Sequence, residues 1–279
     1  MKRISVAVPR APLEQEGQRG KIMNSAGEFE SDRNFVISFA RGLDVIQSFY
    51  NEAQGITAAR VAKKTGLSRA AVRRFLITLE VLGYAEDVDG VYHLRPSVLR
   101  LGCSYLTSTS LPSLAQPILE QVSDLIHEST SLSALDEDNI IYLARHTSSR
   151  VLSVGLSVGS RLPAYCTSMG RVLLADLPPR QLHQYLSRVK MRRWTSKTVA
   201  TKTGLIAILN GVARDRYAVV DGELEPGLRS IAVPIRTRQG RTVAAMNAGA
   251  HVSSVSVEEM IDRILPVLQQ HAEILSRLL

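Results

Sequence analysis

Cysteine is nearly absent from this chain: Cys103 and Cys166 are the only two among 279 residues, and they form no CxxC pair. That excludes a disulfide framework and fits a reducing compartment. Long apolar runs are missing as well. No stretch approaches the roughly 18 uninterrupted apolar residues of a membrane helix, and the apolar segment ahead of Pro9 is too short for a signal-peptide core. The expectation is a cytoplasmic protein with no membrane partner. His93, His127, His146, His183, His251 and His271 include neither an HExxH motif nor a close pair, so no metal site is expected. Neither GxxxxGK[ST] nor a GxGxxG between a strand and a helix occurs, and no nucleotide cofactor is expected.

Acidic residues are missing from one segment in particular. Residues 60–74 carry Arg60, Lys63, Lys64, Arg69, Arg73 and Arg74 with no Asp or Glu, whereas residues 111–279 hold 19 basic and 15 acidic groups. A net charge of +8 favours an acidic partner such as nucleic acid, and its excess is concentrated here. From Thr65 the chain reads TGLSRAAVRRFLITLEVLGY. A helix opening at Ser68 puts Val72, Phe75, Leu76, Leu79 and Leu82 on one apolar arc, with Ala70, Arg73 and Arg74 on or near the opposite arc and Arg69 at its margin.

The neighbours of this helix give the arginines a purpose. Residues 1–33 have no sustained periodicity and read as a flexible tail. Phe35, Phe39, Leu43, Ile46 and Phe49 then recur at helical spacing, Gly55 breaks that helix, and Thr57 caps a short second one running to Thr65. Gly66-Leu67-Ser68 is a turn, so the order is the grammar of a helix-turn-helix. YAEDV and VYHL flank Asp89-Gly90, a strong hairpin signal that adds a wing. In this geometry the helix after the turn enters the major groove of double-stranded DNA. Thr57, Lys63, Lys64, Ser68, Arg69, Ala70, Arg73 and Arg74 are the candidate DNA-binding residues, since arginine pairs bidentately with guanine or phosphate. The bland alternative is a solvated basic face.

Pro96 and Ser97 open a linker helix striped by Val98, Leu101, Tyr105 and Leu106. The domain boundaries expected are therefore 34–96 for the winged helix-turn-helix, 97–111 for the linker and 112–279 for a second domain. There, residues 113–128 read as a helix, SLSALDEDNIIYLARH as two strands joined across Asp136–Asn139, and RVLSVGL as a further strand. Thr167 caps a helix running to Leu174, Pro178-Pro179 introduces another, and residues 203–216 a third. YAVVD, RSIAVPIR and RTVAAMNAG are strands, and Ser256 with Glu259 makes a capping box. The fold class is α+β, an antiparallel sheet flanked by helices.

Two motifs suggest other chemistry. Gly155-Leu-Ser-Val-Gly159 matches the G-x-S-x-G nucleophile elbow, which would make Ser157 the nucleophile of a hydrolase, but Pro163 follows where the elbow needs a helix. The basic run KMRRWTSK from Lys190 contains the only tryptophan and reads as a solvated loop with one anchoring aromatic. A third reading is a basic DNA-architectural protein with no ligand.

RGLDVIQSF, the motif around GLSRAAVRRFLITLEVLGY, LPAYCTSMGRVLLADLPP and ELEPGLRSIAVPIR together resemble the IclR family of bacterial transcriptional regulators. The wording is closest to its branch controlling protocatechuate, 4-hydroxybenzoate and β-ketoadipate catabolism, and the resemblance covers roughly residues 35–279. It implies a winged helix-turn-helix joined by a linker helix to an effector domain of GAF-like or profilin-like architecture. It further implies a homodimer or tetramer; one recognition helix reads only a few base pairs, so a symmetric pair on a palindromic operator is expected, with RNA polymerase as a further partner and no enzymatic activity. The family's pocket positions fall on Ser168, Met169, Val220, Leu228, Ser230, Asn247 and Gly249. The helix opening at Thr167 offers free N–H groups to a carboxylate, and Arg161 is the nearest counter-charge in sequence. A small organic acid, aromatic or dicarboxylic, is the expected effector.

Overall fold

The structure is a computed structural model that describes residues 34–148 and 156–279. The tail reading for residues 1–33 and most of the strand expected in RVLSVGL lie outside the described residues. The chain divides into two compact units between Thr107 and Ser108.

The first unit packs three helices on a small sheet. α1 spans Ile37–Gln47, α2 Ala58–Thr65 and α3 Arg69–Val81. Thr57 caps α2 by accepting from the Arg60 N–H, Gly66 ends it at φ 74°, and Ser68 caps α3 by accepting from the Ala71 N–H. Val72, Leu76 and Leu79 bury the α3 arc, while Leu82 lies past the helix end and is 62% exposed. The stripe expected of α1 holds at Ile46 and Phe49, which join the core, and fails at Phe39 and Leu43. Phe39 is 68% exposed and Val45 is sealed in the core instead. The reason is packing: the Phe75 ring of α3 settles against Gly42, the position where α1 carries no side chain.

The wing is the hairpin β2 (Ala85–Val88) and β3 (Val91–Leu94), closed by Asp89 and Gly90, both at positive φ. Sequence reasoning did not foresee β1 (Ile56–Thr57), which pairs with β3 and makes the wing three-stranded. Gly55 permits this pairing: at φ 79°, a Cβ there would lie 2.6 Å from the His93 ring. A 3₁₀ turn at Pro96–Val98 leads into α4 (Leu99–Ser108), where Leu99, Leu101 and Tyr105 stand exposed.

The second unit is a six-stranded antiparallel sheet in the order β6-β5-β4-β9-β8-β7. Its strands are β4 (Ser129–Asp136), β5 (Asn139–His146), β6 (Arg161–Pro163), β7 (Ala218–Asp221), β8 (Leu228–Arg236) and β9 (Thr242–His251). The period of two sorts their side chains into two cores. Leu132, Ile231, Val233, Ile235 and Met246 face α5 (Leu111–Ile126) and the carboxy-terminal helix. Ile140, Tyr142, Ala232 and Ala245 face α6 (Ser168–Ala175), α7 (Pro179–Arg188) and α8 (Lys202–Asp215). Helices thus cover both faces of the sheet.

The capping box at Ser256 and Glu259 forms as read, opening α9 (Val257–Glu259). α9 then widens into a π turn over Met260–Ile264 before α10 (Leu265–Arg277). Pro266, near the start of α10, has no N–H to give the usual helical bond, which makes a wider turn tolerable there.

Candidate functional sites

At the amino end of α3, Ser68, Arg69, Ala70, Arg73 and Arg74 are all exposed. The three guanidinium groups make no hydrogen bond or ion pair among the described residues, so their charges remain available to an external anion. Lys63 is exposed in the last turn of α2. Lys64 departs from the sequence reading. Its ammonium lies 2.7 Å from Glu52, donates to the Ser48 carbonyl at 2.7 Å and reaches that of Tyr50 at 3.3 Å. An ammonium has three donors, and these are spent inside the domain, clamping α2 to the turn after α1. Arg60 also donates to Glu52, at 2.8 Å. Burial works to raise the Glu52 carboxyl, but the two cations outweigh it and hold it below the usual carboxylate range. The Thr57 hydroxyl is occupied as the α2 cap. What remains free is a helix with an apolar back and an unpaired basic front.

In the second unit, α6 is laid against β8 and β9. Thr167 caps it, accepting from the Gly170 N–H at 3.2 Å, and Gly170 lets the 3₁₀ turn at Ala164–Cys166 fold tightly onto it, since a Cβ there would lie 2.1 Å from the Ala164 carbonyl oxygen. Ser168 meets Ser230 of β8, with hydroxyl oxygens 2.8 Å apart and buried. Ser133 donates to the Met169 sulfur at 3.1 Å. Val220 and Gly249 flank Ser230 on the neighbouring strands, and Leu228 sits opposite His251 at the end of the same row of pairs. A Cβ built on Gly249 would meet nothing within 4 Å, so open space lies beside Ser230. Asn247 is 8% exposed, and its amide oxygen is buried with no partner.

The structure therefore gathers Ser168, Met169, Val220, Ser230, Asn247 and Gly249 around the start of α6. It does not bring Arg161 there. That residue lies on β6, four strands from β8, and its guanidinium meets Asp136 at 2.7 Å.

The residues that hold α6 in place escaped the sequence reading. Arg171, 2% exposed, makes two contacts with Glu223, at 2.6 and 2.7 Å, and its Nε donates to the Tyr165 carbonyl. Glu223 also accepts from the Val199 N–H, at 2.9 Å. The Tyr165 hydroxyl donates to the Arg192 carbonyl and accepts from the Trp194 indole N–H. Arg192 lies 4.9 Å above that indole ring, so the basic run at Lys190 is anchored by its aromatic. One signal could have found the pair: a lone arginine inside the apolar segment SMGRVLLA demands an acid. Burial pushes the Cys166 thiol up to about 12, which leaves it protonated and unreactive at neutral pH.

The G-x-S-x-G match around Ser157, set aside in the sequence because Pro163 follows it, shows no elbow among the described residues. The Ser157 N–H donates to Ser160, its hydroxyl lies 3.5 Å from that of Ser160, and the chain runs from Gly159 into β6 instead of a helix. Gly155 lies outside the described residues.

Comparison with known proteins adds two family matches. Residues 38–89 match the IclR helix-turn-helix domain, and residues 103–277 match the bacterial transcriptional regulator IclR C-terminal domain. The chain is 47% identical over 241 residues to the Pca regulon regulatory protein of Pseudomonas putida, covering 86% of this chain and 83% of that one. Two solved structures carry bound aromatic acids. One is a double mutant of the PobR inducer-binding domain from Acinetobacter with 3-hydroxybenzoic acid (31% identity, TM-score 0.58, 61% of this chain and 100% of that one). The other is an IclR homolog from Microbacterium hydrocarbonoxydans with 4-hydroxybenzoate (25% identity, TM-score 0.75, 86% of this chain and 98% of that one).

Proposed function

Because the chain belongs to the IclR family of bacterial transcriptional regulators, we propose that it reads a palindromic operator as a symmetric dimer and reports a small aromatic acid. A single recognition helix spans only a few base pairs, so useful specificity calls for two copies of α3 on related half-sites. Val98, Leu101 and Tyr105 on and just before α4 are the proposed seam between copies, and pairs of such dimers make the tetramer. The protein acts in the cytoplasm, and contact with RNA polymerase is the route by which it regulates. Arg69, Arg73, Arg74 and Lys63 meet bases and phosphates, with Ser68 and Ala70 at the entry of the helix. The effector occupies the space beside Ser168, Ser230, Asn247 and Gly249.

The observation that carries the sensor reading is the unpartnered, buried amide oxygen of Asn247 beside an open space. A buried acceptor without a donor is costly unless something fills the site, and relatives of this fold hold hydroxybenzoates. An acid bound there changes DNA affinity only if it favours one arrangement of the dimer over the other.

Selection from a random-sequence DNA pool should return a palindrome, and sedimentation should give a dimer or tetramer at micromolar concentration. A pool without sequence preference would instead mark an architectural DNA-binding protein. Calorimetric titration with 4-hydroxybenzoate, protocatechuate and β-ketoadipate tests the sensor. Heat from one acid should vanish in Gly249→Val, which fills the open space, while DNA binding without ligand persists. Equal heats in both proteins place the effector elsewhere.

A further inference from the structure

The register of the sheet places a second polar pole in the effector site. Ser131 on β4 lies directly opposite Arg145 on β5 and directly opposite Asn247 on β9. Directly opposed residues present their side chains to one face, so Arg145, Ser131 and Asn247 form one row on the face that carries α6. Two strand spacings separate the ends of the row, about 10 Å between Cα atoms. The residue between them is small, and its hydroxyl makes no hydrogen bond among the described residues. Arg145 is half-buried, and its only bond there is a 3.3 Å contact from Nε to the Thr147 hydroxyl. No carboxylate among the described residues pairs with it. Arg161, by contrast, is neutralised by Asp136.

We propose that Arg145 receives the carboxylate of the effector and that the Asn247 amide oxygen accepts a hydrogen bond from a ring hydroxyl, with the aromatic ring lying over Ser131. This rests on the reading of the second domain as an aromatic-acid sensor and narrows it to hydroxybenzoic acids. The chemistry follows from the two poles. A guanidinium takes a carboxylate in a planar, two-point contact. The Asn247 amide oxygen, buried without a donor, is an acceptor, so it rewards a hydroxyl donor. A dicarboxylate such as β-ketoadipate has no hydroxyl in its keto form and brings a second charge into a row that offers one cation. Sites built to pair a ligand hydroxyl discriminate strongly against analogues that lack it.

The test uses the full chain and measures binding heats of 4-hydroxybenzoate, benzoate, 4-hydroxybenzamide and β-ketoadipate. The wild type should bind 4-hydroxybenzoate at least tenfold tighter than benzoate, which lacks the hydroxyl, and than the amide, which lacks the charge. Arg145→Gln should erase the preference over the amide and keep the preference over benzoate. Asn247→Ala should do the reverse. Unchanged melting temperatures and DNA binding show that each variant is folded. Tighter binding of β-ketoadipate than of 4-hydroxybenzoate overturns the subsite, as does a variant that leaves its matched preference in place. Either result leaves the sensor itself standing. Silence from every acid in a DNA-binding protein strikes the aromatic-acid reading and the subsite together.

Discussion

Arginine does opposite work on α3 and among the struts of the second domain. On α3, Arg69, Arg73 and Arg74 stand exposed with no acid beside them. In the second domain, Arg161, Arg171, Arg188, Arg229 and Arg236 each meet a carboxylate, with N···O contacts of 2.6–2.8 Å. A paired guanidinium has its charge cancelled where it stands and serves as a strut between elements. An unpaired one keeps its field and its five donors for something outside the chain. The number of arginines does not distinguish a binding surface from a scaffold; the placing of aspartate and glutamate does. Arg145, like Arg192, Arg216 and Arg263, has no acid partner among the described residues, and it differs from them in lying opposite Ser131 in the row that ends at Asn247.

The largest single effect should come from breaking the most deeply buried strut. Arg171→Met leaves Glu223 charged, buried and short of its partner, which costs about 3 to 5 kcal/mol. Urea denaturation of the full chain should show this in the transition of the second domain. Replacing both partners with methionine should recover part of the loss, because two buried charges are then removed together. Recovery stays incomplete, since Glu223 also accepts from Val199 and Arg171 also serves the Tyr165 carbonyl. If the single variant unfolds at the wild-type midpoint, Arg171 is not a strut and the contrast between the domains collapses.

The converse change belongs to α3. Alanine at Arg69, Arg73 and Arg74 should leave folding within about 0.5 kcal/mol of wild type, as expected of exposed positions. Operator affinity should fall by about 1 to 3 kcal/mol for each base-reading arginine. Each lost phosphate contact should lower the salt slope of binding by about one ion. Fluorescence anisotropy on the selected DNA at several salt concentrations measures both. Unchanged affinity and slope in the triple variant would remove the docking model.

How much of this was legible in the sequence follows how local the chemistry is. The Ser68 and Thr57 caps, the Asp89-Gly90 turn, the Thr167 cap and the Ser256 capping box each join residues only a few positions apart, and the structure contains all of them. The strut between Arg171 and Glu223 spans 52 residues, and nothing in either neighbourhood names the other. Lys64 looked like one more cation of a basic helix. Its fate was set by carbonyls on Ser48 and Tyr50, backbone groups that carry no sequence signature. The period of two shows that Ser129, Ser131 and Ser133 share a face, but which residues lie opposite depends on register. Asn247 enters the sequence reading only through the family resemblance, and Arg145, which that resemblance does not name, depends on this register. Arg161 was proposed from proximity in sequence, and strand order carried it to the far edge of the sheet.

The smallest effect expected is a pH dependence, and it tests whether carboxylates serve as struts in both domains. Glu52 in the first domain and Asp221 in the second are both held below their ordinary range. At Glu52, burial pushes upward and Lys64 and Arg60 overcome it. At Asp221, the Lys197 hydrogen bond is the leading cause, with burial opposing and Arg229 adding to the depression. A carboxyl whose folded value lies below its unfolded value adds stability that is complete above the unfolded pKa, about 4. That stability is lost as the pH falls through the depressed folded value, where the proton finally displaces the cation. Asp221 and its partners are partly exposed, so solvent screens the pair and its share is on the order of 1 kcal/mol or less. Melting temperature followed from pH 7 down to pH 3 should therefore decline in the wild type below about pH 4 to 5. Asp221→Asn and Glu52→Gln should each start lower at neutral pH and lose less on acidification. The triple alanine variant of α3 should trace the wild-type curve, because its arginines hold no carboxylate below its usual range. A flattened acid limb in that variant would mean that the α3 arginines are paired in solution after all.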